Sequence, residues 1–89
     1  AGYEAGARVG AATTLRPAAH PHGTWGVIGA AAAVAHLRRL DAAATQRALD
    51  IAASLGLATS ATASLRGGSV RNAYAGAAAQ NGMLAVDLM

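Results

Sequence analysis

Two short segments concentrate the side chains able to do chemistry. The first is His20-Pro21-His22-Gly23-Thr24-Trp25-Gly26. Two imidazoles, a rigid proline and two glycines run straight into a helix predicted to begin near Thr24 or Trp25. The first backbone N–H groups of a helix have no intrahelical partner and carry the positive end of its dipole, so such a start suits an anion, carboxylates included. An imidazole beside it exchanges protons near neutral pH. The second segment is Ser69-Val70-Arg71-Asn72-Ala73-Tyr74-Ala75-Gly76, again a polar cluster at a helix start, after the turn Arg66-Gly67-Gly68. Arg71 offers a planar fork for a carboxylate, and Asn72 and Tyr74 offer hydrogen bonds. If the two helix starts converge, a proton-transfer group and several anion holders meet, which suits a di- or tricarboxylic acid. The matching chemistry is at a carbon next to a carboxylate, where a base takes the proton and cationic groups hold the developing charge.

Each residue also has a plainer reading. His20 and His22 could be loop histidines without a ligand, and Arg71 a solvated charge. His-x-His lacks a third and fourth ligand nearby, so no metal site is expected. Tyr3, Trp25 and Tyr74 read as core anchors with a polar tip. His36, beside Arg38 and Arg39, reads as a surface or half-buried histidine. Asp41 is a better helix cap than a catalyst, and Glu4 and Asp50 read as solvated charges.

The elements that must hold these residues are all helical. Alanine, the best helix former, is spread along the chain, and nothing alternates like a strand. The spacing predicts a helix over about 2–12, with Gly6 and Gly10 weakening it but marking close packing against a neighbour. Pro17 and Pro21 break the pattern. A second helix follows to about Arg39, with Val27, Ala31, Val34 and Leu37 as its apolar stripe and Gly26, Gly29, Ala30 and Ala33 as a small-residue face. Asp41 caps a third helix with Ala44, Ala48, Ile51, Ala52 and Leu55 on one face and Arg47 and Asp50 opposite. Gly56 either ends it or packs within it, and 57–65 reads ambiguously. Ser69 caps a fourth helix from Val70 to about Leu88. The fold class is therefore all-α, a four-helix fragment of a larger helical domain.

Composition narrows the function classes. The chain has 89 residues, 54% of them hydrophobic, but 27 of those 48 are alanine and none is phenylalanine. Twenty-one larger apolar residues are few for an independent body. With the non-Met start, this predicts a piece of a larger helical protein or an obligate oligomer. The net charge of +3 comes from seven arginines and no lysine, with only Arg38 and Arg39 adjacent, too sparse for a nucleic-acid footprint. The uncharged stretch 17–37 holds two prolines and three histidines and is a poor membrane span. No basic region precedes an apolar core, so no signal peptide is expected and a cytoplasmic location is. Cysteine is absent, which excludes disulfides and thiolate chemistry.

Four stretches in order resemble the MmgE/PrpD family, the 2-methylcitrate dehydratase-like proteins. Gly2-Tyr3-Glu4 with Arg8-Val9-Gly10 is similar to the family's G-Y-E…R-x-G helix. His20-Pro21-His22-Gly23-Thr24-Trp25-Gly26, with Gly29-Ala30-Ala31-Ala32-Ala33, resembles H-P-x-G-T-x-G…A-A-A-A. Leu40-Asp41 with Ala48-Leu49-Asp50-Ile51-Ala52-Ala53-Ser54 resembles L-D…A-L-x-I-A-x-S, and Gly68-Ser69 through Gly76-Ala77-Ala78-Ala79-Gln80-Asn81-Gly82 resembles G-S…G-x-A-A-x-x-G. The resemblance implies a large helical domain with a smaller lid, usually a homodimer. It implies action on small polycarboxylates by moving a proton at carbon without a redox cofactor: dehydration, cis-aconitate decarboxylation or iminodisuccinate epimerisation. It implies His20 as the acid/base residue. Taken with the helix-start chemistry above, Arg71, Tyr74, Asn72, Thr24 and His22 are the candidate substrate-binding residues, and the composition leaves neither nucleic acid nor membrane as an expected partner.

The chain departs from the pattern in three places. Arg71 stands where the family often has Lys, Tyr74 where many members have His, and His22 where many have Thr or Ser. Arginine holds a carboxylate but is a poor proton donor. The lid, an acidic residue and a second histidine of the family are absent, so no turnover is expected from these 89 residues alone. The enzymatic reading requires His20 and Arg71 to share a pocket made by two helix starts. The rival reading is a non-catalytic helical interaction module, with those residues far apart. A third, weak nucleic-acid binding through Arg38, Arg39 and Arg47, predicts steep salt dependence.

Overall fold

A computed structural model describes residues 1–13, 24–56 and 71–89, and those residues form an all-α fold. Its helices are α1 (Gly2–Ala12), α2 (Trp25–Leu37), α3 (Ala42–Ser54) and α4 (Arg71–Asp87), with no strand among the described residues. The ambiguous stretch 57–65 and the predicted Ser69 cap lie outside the described residues.

The interior is built on methyl groups. Val27, Ala31, Ala48, Ala52, Ala78, Ala85 and Val86 form the buried cluster, and Ile28, Val34, Leu40, Leu49, Ile51 and Leu55 pack against it. The α3 face runs as expected, with Ala48 and Ala52 buried and Arg47 and Asp50 exposed. Asp41 caps α3 by accepting the Ala44 N–H on Oδ1 at 2.8 Å. The α2 stripe is Val27, Ala31 and Ala35, four residues apart, and Leu37, expected in it, is 78% exposed. Leu37 is the last residue of α2 and lies ten positions, almost three turns, beyond Val27, which rotates it off the stripe.

Small residues let the helices approach closely. The groups spaced by four on α1 (Gly2, Gly6, Gly10) face α2: a Cβ on Gly2 would stand 2.6 Å from the Gly29 carbonyl oxygen, and one on Gly10 would stand 3.0 Å from the Trp25 ring. Low residue numbers on α1 meet high ones on α2, so the two are antiparallel. On the other side, Gly26 meets Ala78 and Gly82 meets Ala30. Here the numbers rise together, so α2 and α4 are parallel. Arg38 Nη1 and Asp87 Oδ1 join their C-terminal ends at 2.8 Å. The expected small-residue face of α2 is thus used twice, by α1 and by α4. Because glycines form the seam of α1, Tyr3 falls one position round from it and is 91% exposed, not the core anchor expected.

The end of α2 carries a local conflict. Leu40 N–H bonds to the Ala35 carbonyl and Arg39 N–H to the His36 carbonyl, both at 3.0 Å, the pair of bonds of a Schellman ending. The residue between cap and exit is Arg39, with φ of 55°, where glycine is the usual occupant. Arg39→Gly is therefore expected to stabilise the chain by about 0.5–1 kcal/mol, the left-handed penalty less the extra freedom of unfolded glycine. Thermal melting checks this, and a lower midpoint would contradict it.

Candidate functional site

The topology gathers one set of chain ends. Trp25 Nε1, in the first turn of α2, donates to Thr13 Oγ1 at the close of α1, 3.1 Å away. Gly56, just after α3, lies beside the Thr24 carbonyl. Parallel to α2, α4 begins seven residues before its contact at Ala78, about 10 Å along its axis. The end of α1, the start of α2 and the end of α3 thus share one end of the bundle, and α4 runs about two turns past it, its Asn81 Nδ2 donating to the Leu55 carbonyl at 3.3 Å. The starts of the two helices singled out in the sequence point the same way.

Of the expected site residues, His20 and His22 lie outside the described residues. Arg71 and Asn72 occupy the first two positions of α4, and their side chains also lie outside the described residues. Thr24 is the N-cap residue of α2, and its side chain makes no capping bond to that helix. Tyr74 is buried, 8% exposed, as a core anchor would be. The helix starts that carry these residues run in the same direction, that of α4 about two turns ahead of that of α2. His36 is exposed on the last turn of α2, as expected of a surface histidine.

An open apolar groove of about 720 Å³ runs between α1 and α4 on a floor of α2. Gly26, Gly29 and Ala30 form its floor, Tyr3 and Ala7 one wall, Ala75 and Ala79 the other. Sequence reasoning missed it because Tyr3 read as buried. The signal was present in the glycines at 2, 6 and 10, which claim the seam of α1 and leave the tyrosine outside. Leu37, Met83, Leu84, Leu88 and Met89 are further exposed apolar residues, at the C-terminal ends of α2 and α4 or just after α4. Among the described residues no cluster of His, Asp or Glu could hold a metal ion, and no helix is long and apolar enough to cross a membrane.

The described residues form an all-helical unit closed by glycine and alanine contacts, with α2 and α4 starting in the same direction. The family model of the MmgE/PrpD N-terminal domain matches residues 1–89, and the chain belongs to the MmgE/PrpD family. No curated protein and no solved structure matches it.

Proposed function

We propose that this chain is the helical part of a cytoplasmic lyase- or isomerase-like enzyme that moves a proton at carbon in a small di- or tricarboxylate. Membership of a dehydratase-like family supports the reaction class. The observation that supports the reading further is direction: α2 and α4 run parallel, so the starts that follow His20 and carry Arg71 face the same way, about 10 Å apart along the axis. Each start presents a positive dipole end facing the same way, which favours a carboxylate at each. In this reading His20 transfers the proton. Arg71 grips a carboxylate, with Asn72, Tyr74, His22 and the amides near Thr24 as helpers. The parent protein is proposed to be a homodimer, on the strength of the resemblance.

The experiment is to incubate the parent protein with a panel of small di- and tricarboxylates in deuterated water and follow exchange at the carbon next to a carboxylate. Exchange in one or more acids is expected, and none in any acid would end the reading. Arg71→Met is expected to raise KM by about 10- to 100-fold, the worth of a hydrogen bond to a charged group, with kcat much less affected. Loss of kcat at unchanged KM would take Arg71 out of the binding role.

A further inference from the structure

No charged residue stands between Arg71 and Asp87, the two ends of α4. One face of this helix is buried through Tyr74, Ala78, Ala85 and Val86. On a surface helix the opposite face is polar. Here it is not. At about 100° per residue, Ala75, Ala79, Met83, Gly76, Gln80 and Leu84 follow one another round the exposed half, and Gln80 alone is polar. A helix that is apolar all round is a buried one. The buried face is covered by α2 and α3. Beside the exposed face lies the open groove, with Tyr3 and Ala7 of α1 as its far wall.

The exposed strip is complementary to itself. Ala75, Gly76 and Ala79 make its first half small, and Met83 and Leu84, 49% and 44% exposed, make its second half large. A Cβ on Gly76 would meet nothing within 4 Å, so there is room at the small end. Two copies of α4 laid antiparallel about a two-fold axis between positions 79 and 80 bring Gly76 opposite Met83 of the other copy, and Ala75 opposite Leu84. Each large side chain then faces a small one, twice over, as in the isologous contact of a closed dimer. A parallel pairing would set Met83 on Met83 and leave a gap at Gly76. The helix ends agree: α4 starts with Arg71 and finishes with Asp87, so antiparallel copies set unlike charges together and parallel copies like ones.

We propose that the exposed strip of α4 takes the α4 of a second copy of this chain, antiparallel, with Gly76 and Met83 on the contact line. This gives the homodimer proposed above its contact and rests on that part of the reading; the chemistry of His20 does not enter. The 17 residues of α4 form a strip about 25 Å long and 10 Å wide, which with α1 alongside gives a face of roughly 500 Å² per copy. A total of about 1,000 Å² is the least that a specific pair needs, so the dimer is expected to dissociate in the micromolar range or above.

Sedimentation equilibrium of the full chain is expected to show that reversible dimer. Met83→Glu sets a carboxylate against the apolar strip of the other copy and is expected to weaken the pair about 10- to 100-fold. Gly76→Lys fills the space that Met83 needs and is expected to act alike. Combined, the two place an ammonium opposite a carboxylate on both sides of the axis, and the dimer is expected to recover about tenfold. The chain has no cysteine, so Gly76→Cys with Met83→Cys reports the contact directly. Seven residues along one helix is about 10.5 Å, beyond the roughly 7 Å that a disulfide spans between α-carbons, so oxidation can join only separate copies. A linked dimer is expected, with far less from Asp50→Cys, which is exposed on α3. If Met83→Glu unfolds the chain by circular dichroism, the cysteine pair still decides. A chain that stays monomeric at millimolar concentration would overturn the inference. So would a dimer that Met83→Glu leaves unchanged and the paired cysteines fail to link; that result moves the contact elsewhere and leaves the homodimer standing. The mass of the parent protein in solution tests the homodimer separately, and its deuterium exchange tests the chemistry.

Discussion

Gly82→Ala is expected to destabilise the chain by about 2 kcal/mol. A Cβ at position 82 would press into the Ala30 Cβ and stand 2.7 Å from the Val27 carbonyl oxygen and 2.8 Å from the Ala31 amide nitrogen. Two of these neighbours are backbone atoms inside α2, which cannot swing aside as a side chain can. Overpacking a tight contact costs about 1–3 kcal/mol, with backbone shifts at the upper end and beyond. Alanine's better helix propensity returns up to about 1 kcal/mol. For a body of this size the net loss lowers the melting midpoint by roughly 10 °C. Gly76→Ala provides the contrast on the same helix, since a Cβ there meets nothing within 4 Å. With propensity alone at work, it is expected to stabilise by about 0.5–1 kcal/mol. Thermal melts of the two variants side by side decide the matter. Equal shifts would show that the α2–α4 seam is looser than described.

His20→Ala in the parent protein is expected to lower kcat for the exchanged carboxylate by about 10²- to 10⁴-fold, the usual contribution of a positioned acid or base. Binding is expected to change little, because in the proposed site Arg71 and the helix starts hold the acid. Kinetics on the parent, with circular dichroism as the folding control, check this. A rate like that of the unaltered protein would remove His20 from the mechanism while leaving the family membership intact.

The helices were legible because their signals are local. Asp41 announced the start of α3, and the prolines at 17 and 21 announced the break before α2. The small residues of α2 announced that neighbours would come close. Which neighbour takes which face is a property of the assembled chain, and here the sequence misled. Tyr3 and Leu37 are large and apolar and read as buried, yet the seams are drawn by glycine and alanine, which leave both side chains outside. Arg39 gave no warning of its left-handed backbone, because glycine is the residue that usually signals such an ending. The hydrogen bond from Trp25 to Thr13 was equally hidden: nothing in their spacing says that Gly10 clears a seat for the indole. For the candidate site, the sequence located the two helix starts, and the parallel course of α2 and α4 supplied their common direction.

The alanine interior has a thermodynamic consequence. Of the seven residues in the buried cluster, five are alanine and two valine. Such a core is held by closeness of backbones more than by large greasy side chains, so unfolding uncovers less apolar area per residue than in an ordinary domain. The heat-capacity increment and the denaturant slope both scale with that area. The stability of this bundle therefore follows a broad, shallow curve with temperature, and its response to urea is gentle for its length.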